Sequence, residues 1–160
     1  MGAAELMLLY LDTMVFISAI EGLANDPAAE CARQVLRLVA DRKLSAVTSE
    51  LTLAEVLSFR SAEFGAEDRK LIRSTYETLL IDSGYVALLP VLRDHMFVAA
   101  DLATSLSAKV RLPDRLHLAA ALSANATYFM SLDRRLTPPA PLQKLGLDEA
   151  ALTMLRTQGA

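Results

Sequence analysis

Residues 6–16 read LMLLYLDTMVF, an unbroken apolar run that ends in one carboxylate, Asp12. Leu6 to Leu11 carries no charge and shows no period-two alternation. That pattern predicts a strand covered on both faces, as the parallel strands of α/β folds are, whereas a strand with one wet face alternates. Asp12 then stands at the carboxyl end of the strand. In open α/β sheets ligands bind at that edge, because the loops leaving neighbouring strands diverge there and open a crevice. An acid in this place either starts a turn and caps the next helix, or serves a ligand.

The rest of the chain alternates helix and strand signals. Val15–Gly22 predicts a short helix stopped by glycine, and Asn25-Asp26-Pro27 a turn whose proline opens the next helix. Ala28–Arg42 repeats apolar residues at Ala32, Val35, Leu36 and Val39, the spacing of an amphipathic helix. Leu44–Thr48 reads as a second strand. Ser49–Arg60 follows as a helix with Leu51, Ala54 and Leu57 on one stripe, and residues 66–80 as another, carrying Leu71, Ile72, Tyr76, Leu79 and Leu80. Gly84 breaks the pattern, and Tyr85–Val91 predicts the third strand. Leu92 to about Lys109 is expected as a long helix, with Phe97, Ala100, Ala103, Thr104 and Ser107 at helical spacing. Leu112-Pro113-Asp114 is a helix start, proline first and an acid in the first turn, and that helix runs to about Ala124. Thr127–Ser131 is the fourth strand, with Asp133 just beyond it. The proline-rich Thr137–Pro141 cannot stay regular, and Leu147–Arg156 predicts a terminal helix. The order β-α-α-β-α-α-β-α-α-β implies an α/β fold in which a parallel sheet of about four to five strands lies between two helix layers. No linker divides it, so residues 1–160 are expected to form a single domain.

Composition bears on function mainly by exclusion. A chain of 160 residues can bury about 68–70% of its unfolded surface, so neither metal nor disulfide is needed to hold it together. Cys31 is the only cysteine, which rules out an intrachain disulfide and makes a reducing, cytoplasmic home the expectation. Met1 to Glu5 lacks a basic start and the first apolar run reaches only Leu11, so neither a signal sequence nor a membrane span is expected. The net charge of −3 argues against indiscriminate nucleic-acid binding. A local basic rim remains open, from Arg33, Arg37, Arg42, Lys43 and the pair Arg134–Arg135. With 53% hydrophobic residues and apolar stripes on several helices, the chain has more to bury than one small core accommodates, and a homodimer is the expected outlet.

In this topology Asp12 and Asp133 emerge at the same sheet edge. Glu55, in the helix after strand two, and Asp114, at the start of the helix before strand four, can face the same crevice. Each acid also has an ordinary explanation: Glu55 lies three residues after Thr52, as in a capping box, Asp114 suits a helix start, and Asp133 a turn. Together those explanations weaken, because four carboxylates around one crevice repel one another unless a cation neutralises them. Oxygen ligands of this kind suit Mg²⁺ or Mn²⁺ rather than zinc. A phosphotransfer receiver would need a tight early acidic pair and a late lysine, and an Asp-x-Asp phosphatase would need an acid where Met14 stands.

The segments YLDTMVFIS, VTSELTLAEVL and LPDRLHLAAALSANATYFMSLDRRL, with their spacing, resemble the PIN domain, in particular the VapC-like toxins of toxin–antitoxin pairs. The resemblance spans roughly residues 8–136 and is most specific from Asp114 to Asp133. It implies a metal-dependent endoribonuclease with Asp12, Glu55, Asp114 and Asp133 as an acidic pocket, metal held by Asp12, Asp114 and Asp133, RNA as substrate and a cognate antitoxin as partner. Thr13 matches the small hydroxyl residue after the first acid, and Ser131 the hydroxyl residue near the last. Met14 and Arg115 depart from the family pattern, which has a small polar and a small apolar residue there. His117, three residues after Asp114, is expected to pack or hydrogen-bond rather than to act as ligand or acid/base. The antitoxin would seat a basic segment in the acidic crevice and anchor on the apolar faces of the helices at 27–42 and 49–60. A PIN nuclease of RNA processing and a catalytically silent protein-binding module are the alternatives.

Overall fold

The computed structural model describes residues 7–58 and 63–158. Leu6 of the first predicted strand and Phe59 and Arg60 of the third predicted helix lie outside the described residues.

The apolar run forms β1 (Leu8–Leu11), the middle strand of a five-stranded sheet. The sheet is completed by β2 (Ser45–Ser49), β3 (Val86–Leu89), β4 (Tyr128–Met130) and β5 (Gln143–Leu145), in the order β3-β2-β1-β4-β5 with every pair parallel. Burial on both faces explains the missing alternation in β1: Leu9 and Leu11 enter one core and Tyr10 the other, all fully buried. The first core is roofed by α1 (Thr13–Glu21), α2 (Pro27–Ala40), α3 (Glu50–Ser58), α4 (Ala66–Glu77) and α7 (Glu149–Gln158). The second lies under α5 (Arg93–Ser105) and α6 (Leu112–Ser123). The result is the expected three-layer α/β/α arrangement. Among the described residues no helix is long and apolar enough to cross a membrane.

Strand order fixes where a ligand can enter. The chain moves outward from β1 through β2 to β3, then crosses back to place β4 on the other side of β1. Connections leaving β1 and β4 therefore diverge, and the crevice opens beyond Leu11 and Met130. The ladder holds to the edge, since the Asp12 N–H donates to the Met130 carbonyl at 3.1 Å.

Several elements depart from the sequence reading. β5 was not expected as a separate element; it forms from Gln143, Lys144 and Leu145 because Leu136 and Leu142, buried at either end of the proline-rich segment, tie that segment under α6. The helix after Gly65 continues past Glu77 as a π-helical turn over Thr78–Asp82. The long helix expected to reach Lys109 stops at Ser105, and its buried face is His95, Ala99 and Leu102, while Phe97, Ala100, Ala103 and Thr104 face outward. In α3 the buried face is Thr52 and Val56, and Ala54 of the expected stripe is exposed. Gly22 ends α1 as expected, and the position takes no larger residue: a Cβ there would meet Ser18 O at 2.2 Å and the Ala29 Cβ at 2.5 Å. Cys31 is buried, and burial pushes its thiol up to about 11, well outside the range of a reactive thiolate.

Candidate active site

A cleft of about 460 Å³ opens at the carboxyl edge of the sheet. All four predicted acids line it, together with Thr13, His117, Arg111 and Arg135. Each acid arrives from a different element and is held there by its own local bonding.

Asp12 follows β1 and caps α1, its Oδ1 accepting the Thr13 N–H at 2.8 Å. Its Oδ2 accepts the Ser131 hydroxyl at 2.8 Å, which ties the exit of β1 to that of β4. Cap and site are thus one carboxylate in two roles. Burial pushes its pKa up; the electrostatic pull of His117, 3.9 Å away, and the hydrogen bonds from the Ser131 hydroxyl and the Thr13 N–H act the other way without cancelling the rise, and the nearby Asp114 charge adds to it.

Glu55 lies in the second turn of α3 and does not close a capping box, because Thr52 is inside the helix and bonds Thr48 at 2.7 Å. Its Oε2 instead accepts from the Thr13 hydroxyl and from His117 Nε2, the latter at 2.8 Å. Burial opposes its ionisation, yet these donors outweigh burial and hold its carboxyl below the ordinary value. Asp114, the third residue of α6, accepts the Arg111 N–H at 3.1 Å, the reciprocal half of a helix cap.

Asp133 stands apart in its pairing. Its Oδ1 accepts the Arg135 N–H and Nε–H, both at 2.9 Å, and its Oδ2 accepts from Nη2 at 2.8 Å. This two-pronged contact with Arg135 holds its carboxyl down to about 2. Lys144 of β5 donates to the Asp133 carbonyl, and burial lowers the pKa of that ammonium.

The donor chemistry fits a hard divalent cation. Oxygen atoms from Asp12, Asp114 and Asp133 face one cleft, and Asp12 carries an unrelieved desolvation cost that a cation would offset. Among the described residues no three acids, histidines or cysteines stand close enough together to form a ready-made metal cage. Asp133 spends both oxygens on Arg135, so it would join a metal only by giving up that contact.

The basic rim is largely elsewhere. Arg33 caps the end of α1 through Ala19 O at 3.0 Å and Gly22 O at 2.7 Å; Arg37 pairs with Glu30; Arg42 lies over the Tyr85 ring at 5.5 Å. Of the expected residues only Arg135 lines the cleft, and Arg111, preceding α6, does so unforeseen. Tyr10 was also missed, hidden inside an apolar run; its hydroxyl meets His117 Nδ1 at 2.8 Å below the cleft floor. Expected packing of His117 is seen: it is buried and bonded on both ring nitrogens.

No curated protein sequence matches the chain. Among solved structures, the fold is similar to a chain of VapBC2 from Rickettsia felis bound to a DNA fragment from their promoter, with TM-score 0.64 and 17% identity over 88% of this chain and 98% of that one. It is also similar to a chain of a toxin–antitoxin complex from Klebsiella pneumoniae, with TM-score 0.57 and 17% identity over 84% of this chain and 94% of that one. A third is a chain of FitAcB from Neisseria gonorrhoeae, with TM-score 0.58 and 15% identity over 79% of this chain and 88% of that one. At these identities the likeness is one of fold. A family model described as PIN domain matches residues 9–139, a span that takes in β1 through β4, the cleft and all four acids, and the chain therefore belongs to the PIN domain family.

Proposed function

We propose that the protein is a metal-dependent endoribonuclease of the VapC-like toxin kind, hydrolysing RNA phosphodiester bonds in the acidic cleft and neutralised by a cognate antitoxin. The observation that carries this reading is the convergence of Asp12, Glu55, Asp114 and Asp133 from four separate elements on one cleft at the switch point of a parallel sheet. Asp12, Asp114 and Asp133 would hold Mg²⁺ or Mn²⁺. A divalent cation in such a site acidifies water and stabilises charge on the leaving oxygen.

The chain's own groups supply the rest. Glu55, held ionised by Thr13 and His117, offers a fixed carboxylate beside the metal-binding acids. Thr13 and Ser131 hold Glu55 and Asp12 rather than taking protons themselves. Arg111 and Arg135, both exposed, stand where a phosphodiester backbone would pass and can pair with its charge, which the overall net charge of −3 does not forbid.

The antitoxin reading draws on the neighbours, one of which is a chain of a toxin–antitoxin complex. Of the anchor expected on the helices at 27–42 and 49–60, the part on α2 does not fit, because Ala32, Val35 and Val39 are already buried beneath α1 and α7. A basic segment entering the cleft itself remains the proposed contact. The deciding experiment is cleavage of a defined RNA by purified protein with Mg²⁺ or Mn²⁺, with excess chelator and Asp12→Asn as controls. Cleavage that persists unchanged in chelator would sink the reading.

A further inference from the structure

Beneath the cleft runs a chain of buried hydrogen bonds whose directions can be assigned one by one. Thr48 Oγ1 donates to the Leu11 carbonyl at 2.8 Å. A hydroxyl has one proton, so Thr52, 2.7 Å from Thr48 Oγ1, must donate to it. Thr13 donates its only proton to Glu55 Oε2. His117 Nε2 sits 2.8 Å from that same oxygen and 3.2 Å from Thr13 Oγ1. An ionised carboxylate only accepts, so Nε2 carries a proton and gives it to Glu55. The other ring nitrogen, Nδ1, is 2.8 Å from the hydroxyl of Tyr10. The Tyr10 hydroxyl is fully buried, with Ser49 beside it as a further donor, and a buried O–H needs an acceptor.

We infer that Tyr10 is a positioning residue of the cleft: its hydroxyl donates to His117 Nδ1, fixes the imidazole in the Nε2–H form, and so makes His117 a clamp on Glu55. The imidazole next to a working carboxylate has two faces, and a donor on one sets which proton the other presents. Tyr10 is suited to the task because it cannot drift. Its ring stacks on Phe129 with centroids 5.3 Å apart and planes within 6°, in a strand buried on both sides. His117 itself packs edge-on against the Tyr10 ring at 6.0 Å. The Glu55 side chain, about a third exposed, is therefore gripped from its buried side and enters the cleft in one orientation.

The effect on cleavage rests on the nuclease reading; the proton assignment does not. The test uses the full chain, ¹⁵N-labelled, at neutral pH without added metal. Two-bond ¹H–¹⁵N spectra should show His117 with a protonated Nε2 and an unprotonated Nδ1. Tyr10→Phe keeps the ring and its stacking, and should turn this signature into a mixture of tautomers. In RNA cleavage with Mg²⁺, Tyr10→Phe should lower kcat by about 10- to 100-fold with KM unchanged, the usual range for a residue acting through another on a metal site. In His117→Gln, whose amide replaces the Nε2–H donor, adding Tyr10→Phe should cost nothing further. A protonated Nδ1 in the wild-type protein, an unchanged signature in Tyr10→Phe, or an equal loss of kcat in both backgrounds would overturn the inference. A wild-type protein that cleaves no RNA would overturn the nuclease reading, and the spectra would still decide the role of Tyr10.

Discussion

Arg135 grips both carboxylate oxygens of Asp133, Nε to Oδ1 at 2.9 Å and Nη2 to Oδ2 at 2.8 Å. An arginine fork satisfies a carboxylate in the way a cation would, so Arg135 and a metal compete for the same acid. Arg135→Ala should therefore raise the affinity for Mn²⁺, by up to about fivefold given how exposed the pair is. Titration calorimetry on the two proteins checks it; equal or weaker binding by the variant would show that Asp133 takes no part in holding metal.

The same pair predicts a pH signature. The Asp133 carboxyl, held down to about 2 by Arg135, should titrate there in carboxyl-detected NMR and return towards the ordinary value of about 3.9 in Arg135→Ala. Because its folded pKa is depressed, whatever stability the pair contributes is fully present above about pH 4 and lost as pH falls towards 2.

Asp12 behaves in the opposite sense. Burial raises its pKa, so the folded state binds this proton more tightly than the unfolded chain, and its ionisation costs stability as pH rises above about 3.9. Asp12→Asn removes that cost at neutral pH. Its amide oxygen still accepts from Thr13, and its NH₂ can meet Ser131 if that hydroxyl rotates. Expected are a melting temperature equal to or above wild type without metal, and cleavage reduced to background. A variant that melts well below wild type would make Asp12 structural.

Metal should stabilise the wild-type protein alone. At a Mg²⁺ or Mn²⁺ concentration about 100 times Kd, linkage gives a rise in melting temperature of about 5–10 °C for a domain of this size. In Asp12→Asn the rise should vanish. The same rise in both would place the bound ion outside the cleft.

Phe97 points outward from α5 at 67% exposure, with Leu92 and Met96 beside it at 50% and 45%. A second copy of the chain is the proposed cover. Light scattering at micromolar concentration should give the mass of a dimer, and Phe97→Glu should shift it to monomer with unchanged circular dichroism; a monomeric wild type would count against it.

What the sequence made legible was set by how local each signal is. Leu8–Leu11 lacks alternation because both faces are buried, and that can be read from the letters; so can Asp114 and Asp133, each at the end of a clear element. β5 could not be read, because three residues without a β-branched side chain become a strand only by lying beside Tyr128–Met130. The outward stripe on α5 was legible as periodicity but not as orientation, since Ala99 and Leu102 serve the other face equally well. Tyr10 and Arg111 owe their places under and in the cleft to contacts with distant or turned neighbours, and no spacing announces such contacts.

Ser131 and Asp12, joined by a 2.8 Å hydrogen bond, are 119 residues apart in the chain. The middle strand is made before its partner on the cleft side, with β2 and β3 between them in the chain. During synthesis the four acids therefore cannot be gathered until residue 133 has left the ribosome, and at about 5–20 residues per second the chain spends several seconds as an unassembled site. A nuclease active from its first folded helices would meet ribosomal RNA while still attached to it. Here the strand order itself acts as a timer, withholding the cleft until Asp133, the last of the four acids, has been made.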